Sequence, residues 1–151
     1  MRKLISAWCL LAGLTDSTTG VLLVSAPATT LRLMGIAEVP SEPVFLRWIG
    51  VFVGGVGLLY LYPWLGDAAR REERQRVILE ATIVLRGAVA VFVIVSLTRG
   101  LLSMPWVSVA VTDAMFAGFQ VFLLTLSSRP VAEAADEDGT DEDDGDDGDE
   151  S

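Results

Sequence analysis

The chain contains no histidine, one cysteine and one lysine. Without histidine it lacks the commonest transition-metal and haem ligand, and the commonest general base near neutral pH. The one thiol, Cys9, can form no internal disulfide. It lies in an apolar run, where a free cysteine is a small buried apolar residue. With Lys3 at the very start, no base is placed to activate a hydroxyl, so neither a hydrolytic site nor a metal site is expected. Basic residues are missing altogether from Glu133 to Glu150, where twelve residues are acidic. Calcium is not the reason for that cluster. An EF-hand built on Gly148 would need an acid or amide where Gly145 stands.

The acidic segment also distorts the totals. The formal charge is −9, yet the residues before it carry eleven basic and eight acidic groups, a net of +3. From Val131 the chain is Asp, Glu, Gly and Ala with little else. It cannot bury enough apolar surface to offset its ordering entropy, so residues 131–151 are expected to be a disordered acidic tail behind a membrane domain at 1–130.

What remains is dominated by four long apolar stretches, at about 4–26, 44–62, 77–97 and 105–126, within a composition that is 52% hydrophobic. Each is near the ~20 residues needed to cross ~30 Å of hydrocarbon. The fold expected is all-α, a four-helix transmembrane bundle whose first partner is the lipid bilayer. No nucleic-acid partner is expected. A rival reading takes Leu4–Leu14 as a secretory signal with Ala26-Pro27-Ala28 as its cleavage site. That site falls well beyond the apolar core, and apolarity resumes at Val21, as a span requires.

Basic residues give the expected orientation. Arg2, Lys3, Arg70, Arg71, Arg74, Arg76 and Arg129 lie on one side, and only Arg32 and Arg99 on the other. This places the protein in the cell membrane, multi-pass, with both termini cytoplasmic. Trp8, Trp48, Trp64 and Trp106 all fall near segment ends, where indole rings favour the interface. After Pro27, residues 28–36 make a short amphipathic piece closed by Gly35, to be read either as an interfacial helix or as a partly apolar loop. Pro40-Ser41-Glu42-Pro43 is a helix start signal with Ser41 as candidate cap. Tyr60, Tyr62 and Trp64 read as an aromatic collar, and Asp67–Arg76 as a charged connector able to continue the third helix into water.

Each apolar stretch carries one buried-looking charge, Asp16, Arg47, Arg86 and Asp113 in turn, with Glu80 at the charged start of the third. At mid-bilayer a charge costs ~2.5–3.5 kcal/mol on insertion scales, so four unpaired ones would cost on the order of 10–14 kcal/mol. At 1.5 Å rise per residue, Asp16 and Asp113 come to about the same depth and Arg86 can extend towards both. Arg47 sits near the outer end of its helix and can snorkel outward or reach down. A shared network is expected, with Arg86 bridging Asp113 and Asp16. The second span brings small residues to the same face, at Gly50, Gly54 and Gly57, including a GxxxG. The fourth offers Ala110, Ala114 and Gly118, and the first Gly13, Ser17 and Gly20. Such a network could lock helix register, bind a small-molecule or quinone headgroup, or couple to ions or protons.

The runs Ala26-Pro27, Leu31-Arg32-Leu33-Met34-Gly35-Ile36, Leu46-Arg47-Trp48-Ile49-Gly50, Gly54-Gly55-Val56-Gly57 and Arg86-Gly87 together resemble the small DoxX-like membrane families. The resemblance implies four helices and covers about 125 residues, with the acidic tail outside it. Some of those proteins are linked to quinone-dependent sulfur oxidation or act as accessory subunits. That kinship would make Arg47 and Arg86 quinone contacts. The leading expectation is a non-catalytic accessory or scaffold subunit of a membrane complex, with no bound cofactor. The alternatives are a quinone-interacting subunit of a membrane oxidoreductase and a proton-coupled small-molecule transporter.

Overall fold

The computed structural model describes residues 2–37 and 39–127. The expectations for the acidic tail lie outside them. The described residues form five α-helices and no strand: α1 Arg2–Ser25, α2 Pro27–Leu33, α3 Pro43–Leu61, α4 Arg71–Thr98 and α5 Val107–Ser127. Short 3₁₀ turns extend the ends of three of them at Tyr62–Trp64, Ala68–Arg70 and Met104–Trp106. Four helices, all but α2, are long and apolar enough to cross a membrane. The protein is thus a small helical bundle of the multi-pass membrane kind.

One boundary differs from the hydropathy reading, and local polar chemistry explains why. α4 begins at Arg71 instead of near Val77, because its charged first turns are good helix. Glu72 and Glu73 lie at the positive end of the helix dipole, and Arg76 pairs with Glu80 one turn on at 3.1 Å. Asp67 prepares this start by accepting the amide of Ala69 at 2.9 Å. α3 begins at Pro43 with Glu42 in the capping position and no side-chain cap, so Ser41 does not serve as one.

α2 folds back as a helix rather than a loop. Leu31 and Ile36 are fully buried beside Leu23 and Leu46, whereas Leu33 is exposed. Gly35 ends it with a positive φ of 82°, and this lets the Ile36 amide bond Leu31 O while the Gly35 amide bonds Arg32 O. Gly100 (φ 69°) repeats the arrangement after α4, with Leu101 on Ser96 O and its own amide on Leu97 O. In both places a Cβ would be strained.

The spans associate as two pairs. α1 lies against α3, and α4 against α5. The first pair is close because both helices present glycine at the contact. A Cβ on Gly20 would stand 2.5 Å from Gly54 Cα and 2.7 Å from Gly50 O, and one on Gly13 would meet Gly57 O at 3.1 Å. On Gly57 it would run into the backbone of Ser17. Backbones this close gain dispersion along the whole contact, which is how helices associate where hydrocarbon supplies no hydrophobic drive. The two pairs then meet through larger side chains. Trp8 of α1 packs on Phe116 and Phe119 of α5, with ring centroids 5.0 and 4.4 Å apart. Cys9, Ala12, Tyr60 and Leu79 form the buried cluster beside them.

Candidate functional site: a guanidinium that touches every other span

Asp16 lies on the α1 stripe that buries Cys9, Ala12, Gly13, Gly20 and Leu23, so its carboxylate points into the bundle. Arg86 occupies the corresponding stripe of α4, between Thr82 and Ala90. Asp113 falls on the face of α5 marked by Ala110 and Gln120. The three meet. Arg86 Nη2 donates to Asp16 Oδ2, and Nη1 donates to Asp113 Oδ1 at 2.5 Å. Nε donates to the Tyr60 hydroxyl of α3 at 3.3 Å. The guanidinium carbon stands 4.3 Å from the centroid of the Phe116 ring, within cation–π range. A single side chain therefore contacts each of the other three membrane-spanning helices. Arg86 and Asp16 are 7% and 8% exposed, so solvent does little to weaken these contacts.

A second polar layer continues from Tyr60. Its hydroxyl also accepts from Gln120 Nε2, and the Thr82 hydroxyl lies 3.2 Å from Gln120 Oε1. Farther along, Ser6 and Gln75 exchange hydrogen bonds at 3.2–3.3 Å across α1 and α4. Thr82, Gln120 and Tyr60 had not stood out as site residues. The signal was there in the spacing: Thr82 is one turn from Arg86, and Gln120 two turns from Asp113, hence on the same faces.

Arg47 is not part of the network. It is exposed, and among the described residues it makes no ion pair. At 1.5 Å per residue it lies roughly 20 Å farther along α3 than Tyr60, beyond the reach of an arginine. The core therefore holds two carboxylates and one guanidinium, instead of two of each. Replacing Arg47 with glutamine is expected to change stability in detergent by no more than about 0.5 kcal/mol, measured by unfolding titration with sodium dodecyl sulfate.

Ala114 and Gly118 also require correction. Both are exposed, and a Cβ on Gly118 would meet nothing within 4 Å. At roughly 100° per residue, Gly118 points about 140° away from Asp113, so the two cannot face inward together. Gly50 and Gly57, in contrast, are buried in the contact with α1, and Gly54 is partly buried there.

Comparison with known proteins finds no matching family model, no matching curated protein and no matching solved structure. The chemistry of the site must be read from its own groups. Among the described residues no three of His, Cys, Asp and Glu cluster as metal ligands would. Grooves of about 360 and 350 Å³ open at opposite ends of the bundle, and neither is lined by Asp16, Arg86 or Asp113.

Proposed function

We propose that this is a non-catalytic scaffold or accessory subunit of a membrane complex, held in the cell membrane with both termini cytoplasmic. One observation carries the reading. Each of the three nitrogens of the Arg86 guanidinium donates to a protein acceptor, using three of its five N–H donors, and the Phe116 ring lies against it, so most of its capacity is spent on its own helices. Structural locking is what contacts to all three other spans serve. The DoxX-like resemblance belongs with this reading through the accessory members of those families.

The test is mass spectrometry of gently solubilised, tagged protein, scoring co-purifying subunits and bound small molecules. A stoichiometric protein partner without quinone is the expected result. A retained quinone, lost when Arg86 is changed, would replace the scaffold with a redox subunit. One observation favours a second reading: the core carries one carboxylate more than its guanidinium neutralises. A proton-coupled carrier uses such a group. Proton-gradient-driven solute uptake in liposomes, abolished by Asp113→Asn, would establish it.

A further inference from the structure

A groove of about 360 Å³ opens between the end of α3 and the start of α4. Its floor is apolar, made by Leu59, Val77 and Ile78, and Leu59 and Val77 are more than half exposed on the outside of the bundle. Its rim carries Arg70 and Arg74, with Glu73 as the one acid. This is the level at which the apolar spans give way to the charged connector, so the floor lies in hydrocarbon and the rim among headgroups.

Arg74 is held in position there. Its guanidinium stacks on the Tyr62 ring, 5.5 Å from the centroid, and occupies the space above Gly66. Any side chain at Gly66 would collide with that guanidinium. Two nearby arginines are engaged, Arg2 with Glu72 at 3.0 Å and Arg76 with Glu80 at 3.1 Å. Among the described residues, Arg70 and Arg74 form no ion pair.

We propose that this groove is a binding site for one anionic phospholipid, with an acyl chain along Leu59, Val77 and Ile78 and its phosphate on Arg70 and Arg74. The occupant must be amphiphilic, since a soluble anion would leave the apolar floor bare. The chain's own acidic segment would do the same, being nearly devoid of apolar side chains. A zwitterionic lipid would leave the excess positive charge of the rim unanswered. Planar guanidinium groups suit phosphate oxygens, and one of the two is already fixed before the lipid arrives.

The full-length protein is reconstituted into discs of phosphatidylcholine with a minority of phosphatidylglycerol, and the retained lipids are counted by native mass spectrometry. The wild type should retain one phosphatidylglycerol, enriched above its share of the disc. Each of Arg70→Gln and Arg74→Gln should cut that enrichment about fivefold. Gly66→Ala should cut it too, by less than Arg74→Gln, because its methyl shifts the end of Arg74 while leaving the net charge untouched. Arg99→Gln, at the opposite end of α4, should leave it unchanged. No enrichment in the wild type, or full enrichment in Gly66→Ala, would overturn the site. The second result would mean that any cationic surface suffices. All these positions lie outside the core, so unchanged detergent unfolding curves show that the variants are folded.

Discussion

Arg86→Met is expected to destabilise the bundle by about 3–5 kcal/mol, the cost of stripping a buried ion network of one partner. The substitution keeps the apolar stem and removes the guanidinium, so the loss combines the two ion pairs with the Tyr60 hydrogen bond and the Phe116 contact. It leaves Asp16 and Asp113 facing each other in a site with 7–8% exposure at its two most buried members, with no cation to separate them. The decisive comparison is with the fully apolar variant. Asp16→Leu, Arg86→Met and Asp113→Leu together should recover most of the loss, because no charge remains to be desolvated. The pair Arg86→Met with Asp113→Leu should not, since Asp16 would still stand alone. Sodium dodecyl sulfate titration in micelles reads all three. If Arg86→Met unfolds together with the wild type, the network carries no stability, and its role must be sought in ligand or proton chemistry.

The second large effect is expected at Gly20. A methyl there would overlap the backbone of α3 at both Gly50 and Gly54, and backbone, unlike a flexible side-chain tip, cannot move aside. Gly20→Ala should cost about 1–3 kcal/mol, and Gly20→Val should cost more, as overpacking of a filled contact does. Gly118→Ala, with nothing within 4 Å, should fall within about 0.5 kcal/mol of wild type. Cys9 supplies an internal reporter, being fully buried and the only thiol in the chain. Maleimide should label it faster in Gly20→Val than in wild type or Gly118→Ala. Equal labelling rates would show that the added side chain does not open the α1–α3 contact, contrary to the glycine seam.

Spans and ion contacts were legible in the sequence for one reason each. Twenty apolar residues admit few structures in lipid, and a lone charge among them must find a partner at its own depth. Depth follows from counting residues, which is why Asp16, Arg86 and Asp113 could be matched in advance. Direction around the helix was harder to read. A four-residue spacing looks like one face over a single turn but drifts by about 40°, and two such steps carry Gly118 off the buried face altogether. The same geometry separates Tyr60 from Tyr62. Two residues apart they point about 200° from each other, so Tyr62 lines the boundary while Tyr60, read as part of the same collar, is fully buried against Arg86. Glycine faces were legible on the first and second spans, but the pairing of α1 with α3 came only from the structure. That of α4 with α5 had no comparable signal, because Gly87 and Gly118 contact nothing.

The distribution of the ion network along the chain bears on how the protein is made. Asp16 enters the membrane with the first helix, and Arg86 follows seventy residues later. Until then the glycine seam with α3 is what can retain a helix carrying a lone carboxylate. Asp113 comes twenty-seven residues after Arg86, on the adjoining helix, so the last two spans bring a guanidinium and a carboxylate together. In the core, one helix pair brings a carboxylate and the other the arginine that satisfies it. A chain interrupted before its third span would leave Asp16 without a cation in the bilayer, and the unfinished protein would carry its own mark for removal.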